Sequence, residues 1–121
     1  MYRVGIITAS DKGSKGERVD ESGPKIKEIV SDFGYEVVYY KVLPDDKDTI
    51  SSEMKQLCDE NKVDLILTTG GTGFSKRDNT PEATLEIAEK LVPGISEAIR
   101  SYSMQFTKKA MLSRGVSVIR K

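Results

Sequence analysis

Leu65-Ile66-Leu67-Thr68-Thr69-Gly70-Gly71-Thr72-Gly73-Phe74-Ser75-Lys76-Arg77-Asp78-Asn79-Thr80-Pro81-Glu82 decides the fold. An apolar run, read as a strand over 63–69, feeds straight into glycines and threonines. A basic pair, an acid and a helix start follow. Thr80 reads as the N-cap, Pro81 as the first helical residue and Glu82 as a complement to the helix dipole. Glycine lets backbone N–H groups turn toward a ligand with no Cβ in the way, and a helix N-terminus adds positive potential. The stretch therefore reads as a strand, a phosphate- or anion-binding loop and a helix. It lacks the Gly-Lys-Ser/Thr ending of a Walker A loop and the spacing of the dinucleotide fingerprint.

Working outward, residues 3–8 (Arg-Val-Gly-Ile-Ile-Thr) are short, apolar and β-branched, the pattern of a strand buried on both faces of a parallel sheet. Residues 9–20 are polar and contain Asp11, Gly13, Gly16 and Asp20; they read as a loop. A helix follows with Ile26, Ile29, Val30 and Phe33 at helical spacing, capped by Asp20 or Ser22 and ended by Gly34. Residues 35–43 form the second strand, which Pro44-Asp45-Asp46 breaks. A helix over 47–61 places Ile50, Met54, Leu57 and Cys58 on one face. The helix from Thr80 reads to about Leu91. A long amphipathic helix reads from Ile95 to about Leu112, carrying Ile95, Ala98, Ile99, Tyr102, Phe106 and Ala110, with a short strand over 116–119 after it. Strands alternating with helices give one α/β domain over 1–121, a three-layer α/β/α arrangement around a largely parallel sheet. Ligands of such sheets sit at the carboxyl ends of the strands, where residues 9–20, 44–46 and 70–79 converge.

Composition removes several chemistries. The 19 basic and 19 acidic residues cancel, so no global field steers the chain toward nucleic acid or an anionic membrane. Lys108, Lys109, Arg114, Arg120 and Lys121 follow Glu97 with no acid among them and read first as a solvated helix face. Histidine is absent, which excludes His-based triads and the usual zinc sites and leaves Mg²⁺ held by carboxylate and phosphate oxygens. The single cysteine, Cys58, lies on an apolar stripe and reads as an inert thiol. No apolar run approaches membrane-span length, and Met1-Tyr2-Arg3-Val4 enters a strand at once, so the reading is a soluble cytoplasmic protein.

Asp45 and Asp78 each have a structural reading: Pro-Asp is ordinary turn chemistry, and an acid near a helix start favours the dipole. Together at one sheet edge, beside a phosphate loop, they read as a pair able to hold Mg²⁺ and to serve catalysis of phosphoryl or nucleotidyl transfer. Asp11 and Asp20 read more simply as loop solvation.

The sequence resembles the molybdopterin adenylyltransferase family along its whole length. The central match is Thr69-Gly70-Gly71-Thr72-Gly73, Arg77-Asp78 and Thr80-Pro81-Glu82. Val4–Asp11, Asp20–Pro24, Leu43–Asp46 and Val92–Gly94 support it. The resemblance implies the molybdopterin-binding domain fold and a homotrimer, in some members doubled to a hexamer. It implies Mg²⁺-dependent transfer of AMP from ATP to the terminal phosphate of molybdopterin, with the product passing to a molybdate-insertion enzyme. By motif position, Asp45 and Asp78 match the critical acids and the metal site. Thr69, Gly70, Gly71, Thr72 and Gly73 match a contact to ligand phosphate, and Ser10 and Asp11 match the loop bordering the pocket. In such a transfer Arg77 or Lys76 offsets developing charge, with Lys76 read first as a surface salt-bridge partner.

Family members usually continue into a further strand, a loop resembling Leu-Pro-Gly-Ser-Pro and a last helix, whereas this sequence stops at Arg120-Lys121. The expectation is a C-terminally short domain with part of its ligand-binding surface missing. Two other classes therefore stay open: a molybdopterin- or nucleotide-binding protein without turnover, and an inactive fragment of the enzyme.

Overall fold

The computed structural model describes residues 1–121. Strand β1 (Arg3–Ala9) lies at the centre of a three-stranded parallel sheet, flanked by β2 (Glu36–Leu43) and β3 (Leu65–Thr69). Its central place follows from its sequence: Val4, Ile6 and Ile7 are wholly buried, which needs cover on both faces. Alternation sorts the side chains. Val4 and Ile6 meet Val30 of α2 (Ser22–Asp32), with Val37 and Leu67 alongside. Ile7 and Ala9 point the other way, into a larger core with Ile50, Met54 and Leu57 of α3 (Lys47–Asp59) and Ala83 and Ile87 of α4 (Thr80–Ile87). The three layers expected from the strand–helix alternation are thus present. The register of β2 slips by one residue between its pairings with Val4 and Gly5, so that Val37 and Tyr39 fall on opposite faces with Val38 between them.

Several expected boundaries move. Residues 9–20 are not all loop: α1 (Asp11–Ser14) is a single turn capped by the Ser10 hydroxyl, which accepts from the Gly13 N–H at 3.0 Å. Of the stripe expected on α2, Val30 is buried and Ile26 packs partly, while Ile29 and Phe33 are exposed. Asn79, not Thr80, occupies the N-cap position of α4, because the Thr80 hydroxyl is drawn to the Gly70 carbonyl at 2.9 Å.

Helix α4 ends at Ile87 instead of Leu91. Ala88 turns extended, and β4 (Lys90–Leu91) pairs antiparallel with β5 (Val118–Ile119) in a separate two-stranded sheet. The expected long helix is two pieces. Helix α5 (Pro93–Ser103) starts on Pro93, and a 3-10 turn (Lys108–Leu112) follows a break. Thr107 makes the break: it is extended, and its hydroxyl accepts from the Lys109 N–H, a local bond that competes with the helix. The apolar face of α5 finds no partner within the chain, with Ile95, Ile99 and Tyr102 all more than half exposed. No helix is long and apolar enough to cross a membrane.

Candidate active site at the carboxyl edge of the sheet

The carboxyl ends of β1, β2 and β3 deliver Ser10, Asp45 and Thr69 to one pocket of about 530 Å³, which Gly70 and Gly71 also line. The glycines let the loop turn back over the sheet. Gly71 has φ +69°, and a Cβ there would collide with the Thr80 hydroxyl and press on Asp45. Thr80 holds this turn at both ends: its N–H donates to the Gly71 carbonyl at 3.1 Å and its hydroxyl to the Gly70 carbonyl. Thr72 and Gly73 lie beyond the pocket lining. Gly73 is required by a close approach, since a Cβ would stand 2.7 Å from Asp78 Oδ2. That carboxylate accepts from the Ser75 N–H at 2.9 Å and so closes the loop on itself.

Asp45 and Asp11 are interlocked. The Asp11 N–H donates to Asp45 Oδ2 and the Asp45 N–H donates to Asp11 Oδ1, both at 2.9 Å. The second oxygen of Asp45, Oδ1, is buried with no hydrogen-bond partner. Burial raises the Asp45 pKa above the ordinary carboxylate value; the Asp11 N–H bond opposes this, and the charges of Asp11 and Asp78 add to it. Asp11 goes the other way. Hydrogen bonds from the Arg77 guanidinium, and then the one from the Asp45 N–H, lower it to about 2. Arg77 binds Asp11 with two prongs, Nε at 3.0 Å and Nη2 at 2.8 Å. Arg77 is thus placed at the acids and not free in solvent, and Asp11 is the hinge of the cluster, not a solvated loop residue.

Asp20, also read as loop solvation, is built into the pocket wall. It accepts from the Thr8 hydroxyl at 2.8 Å, from the Tyr40 hydroxyl and from the Gly23 N–H at 3.3 Å. Burial and this bond push the Tyr40 phenol up to about 12. The Asp20–Gly23 bond bears out the capping expected of Asp20, from one position outside the formal N-cap.

Two residues of the basic tail leave the solvated face assigned to them. Arg120 binds Asp59 through Nε and Nη2, each at 3.0 Å, and the Ile87 carbonyl at 2.9 Å. Arg114 reaches the glycine loop. Its Nε donates to the Gly73 carbonyl at 2.7 Å, its Nη2 to the Asp78 carbonyl at 2.8 Å and its Nη1 to Glu82 at 2.7 Å. The sequence carried no signal for this, because the contact spans 32–41 positions. Cys58 is half-buried, and burial pushes its thiol pKa up, as an inert thiol requires.

A divalent cation fits this site in part. An orphaned carboxylate oxygen beside Gly71 and the Asp78 carboxylate beside Gly73 are hard oxygen donors flanking one loop. No group of three or more acidic or cysteine side chains gathers to enclose an ion. The remaining ligands of a Mg²⁺ ion must then be water and substrate phosphate, its usual company.

The fold and pocket define a parallel α/β domain with an open pocket at its strand ends. Residues 5–121 match the family described as "Probable molybdopterin binding domain". The chain is 40% identical over 119 residues to the molybdopterin adenylyltransferase of Helicobacter pylori strain 26695, covering 97% of this chain and 68% of that one. It is 39% identical over 124 residues to that of Escherichia coli K12, covering 98% and 62%. Among solved structures, the molybdopterin biosynthesis enzyme MoaB of Thermus thermophilus superposes with a TM-score of 0.92 at 44% identity, over 99% of this chain and 76% of that one. The tungsten cofactor synthesizing protein MoaB of Pyrococcus furiosus gives 0.89 at 37%, over 100% and 74%. The chain belongs to the molybdopterin adenylyltransferase family, and it spans about two thirds of the length of these curated relatives.

Proposed function

We propose that this protein acts in molybdenum cofactor biosynthesis, transferring AMP from ATP to molybdopterin and releasing pyrophosphate. The observation that carries the reading is Asp45 Oδ1, a buried oxygen without a protein donor on a residue that lines the glycine-loop pocket. A terminal phosphate oxygen of molybdopterin attacks the α-phosphorus of ATP. The new P–O bond forms as the bond to the bridging α,β-oxygen breaks, and pyrophosphate carries away the electron pair. The nucleophile is ionised at neutral pH, so no histidine base is needed, and placement and charge stabilisation dominate.

Each residue has an assigned part. Backbone N–H groups of Gly70 and Gly71, with the Thr69 hydroxyl, bind phosphate oxygens, and Ser10 borders the ligand. Asp45 and Asp78 would hold Mg²⁺, which when bound would offset phosphate charge. Asp11 orients Asp45 through their paired bonds and keeps Arg77 at the site to offset charge that develops in transfer. The reading extends to a cytoplasmic homotrimer or doubled trimer that hands its product to a molybdate-insertion enzyme. The unpartnered apolar face of α5 supports the assembly.

The test is pyrophosphate release from ATP by the purified protein with Mg²⁺ and molybdopterin. Asp78→Asn is expected to lower turnover by at least about tenfold, roughly 1.4 kcal/mol of barrier, with an unchanged circular dichroism spectrum. Undiminished turnover would overturn the metal-site assignment.

A further inference from the structure

We propose that Arg114 is a positioning residue for the glycine loop, fixing where Asp78 stands. The loop between Gly70 and Asn79 has no regular structure, and few bonds within it hold its shape: Ser75 N–H to Asp78, Asp78 N–H to the Ser75 carbonyl, and Thr80 N–H to the Gly71 carbonyl. Arg114 fastens the loop from outside at three points. Its guanidinium takes the Gly73 and Asp78 carbonyls, and its own N–H donates to the Thr72 carbonyl at 3.0 Å. The same guanidinium grips Glu82 in the first turn of α4, so loop and helix start are held by one rigid planar group.

The bonding pattern separates this role from substrate binding. A guanidinium has five N–H donors. Here Nε and both terminal nitrogens are engaged, and Nη2 also approaches the second Glu82 oxygen at 3.4 Å. Glu82 neutralises the charge, which leaves a clamp and not an open anion site. The clamp is itself buttressed. Nη1 of Arg100, on α5, donates to the Ser113 and Gly115 carbonyls on either side of Arg114, at 3.3 and 2.7 Å. The Asp78 carboxylate leans on Gly73 with no room for a Cβ, so holding the Gly73 and Asp78 carbonyls together holds the carboxylate in place.

The kinetic half of the test rests on the adenylyl-transfer reading; the exchange half does not. Arg114→Lys keeps the charge but can fill only part of the fork. Amide hydrogen exchange of the ligand-free protein is then expected to speed up by about tenfold or more at Ser75, Asp78 and Thr80, with β1 and α3 protected as in wild type. Turnover is expected to fall by about tenfold or more, with KM for ATP within about twofold. Glu82→Gln, which leaves the two loop bonds in place, is expected to produce a smaller change of the same kind in both readouts. Unchanged loop exchange, faster exchange throughout the chain, or a raised KM for ATP with kcat intact would each overturn the positioning role. If Arg114→Lys fails to fold, Glu82→Gln decides by the same measurements. If the wild-type protein shows no turnover, the adenylyl-transfer reading falls and loop exchange alone decides.

Discussion

Asp45 is costly to the ligand-free protein. Its Oδ1 is buried without a donor and its pKa is raised, so the native state carries a penalty whenever the group is ionised. That penalty is present at neutral pH and vanishes below the ordinary carboxylate range, where both folded and unfolded forms are protonated. Asp45→Asn is therefore expected to stabilise the metal-free protein by about 0.5–2 kcal/mol at pH 7 while abolishing turnover, which thermal denaturation beside the pyrophosphate assay will check. Asp11 has the opposite sign. Bonded to Arg77 and lowered to about 2, it contributes stability that is whole above the ordinary carboxylate range and is lost as pH falls toward 2. With chelator present, the stability gap between wild type and Asp11→Asn should close between about pH 4 and pH 2; a gap constant across that window would count against the pair. At this scale the sequence located the acids but not their division of labour. Asp11 and Asp45 are 34 positions apart, and only the meeting of the β1 and β2 ends makes them partners.

Among the elements, the junction of the glycine loop with α4 is the most tightly specified. Thr80 is 3% exposed, and its hydroxyl bond to Gly70 is not replaceable from solvent. Thr80→Val keeps the shape, removes the donor and leaves a carbonyl short of its partner, at a cost of roughly 1–2 kcal/mol. For a domain of this size that is a melting point lower by about 4–8 °C, measurable by calorimetry. The strands and the first turns of α3 and α4 were legible because local chemistry sets them: β-branched runs, an Asp46 cap that accepts from the Thr49 N–H at 3.0 Å, and Pro81. The ends of α4 and α5 were not. The apolar period that read as helix to Leu91 is interrupted because Glu89 and Val92 donate to the Ile119 and Ser117 carbonyls. That bonding comes from a segment far along the chain.

Across the whole molecule, the apolar face of α5 is a feature the single chain leaves without a partner, with Ile95, Ile99 and Tyr102 each more than half exposed. Ile99 is 61% exposed within the protomer, so Ile99→Glu should cost the isolated fold little, within about 0.5 kcal/mol. It should nevertheless dissociate the proposed trimer, because a carboxylate at an apolar interface must be desolvated. Light scattering after size exclusion should show the mass fall to that of one chain. A wild-type protein that is already monomeric, or a variant that stays trimeric, would remove α5 from the interface.

By itself the sequence determined the class of fold and the sheet edge at which the candidate pocket lies. Burial on both faces of residues 3–8, the glycine run after residues 65–69 and the helix start at residues 80–82 are local facts, each forced by side-chain period or backbone freedom within a few residues. Only the tertiary structure decided how the site is held: Arg77 turned onto Asp11, Asp20 set into the pocket wall, and Arg114 closed over the loop. The reason is physical. A guanidinium or a carboxylate carries the same chemistry wherever it lies in the chain, and folding alone decides which partner comes within hydrogen-bonding reach of it.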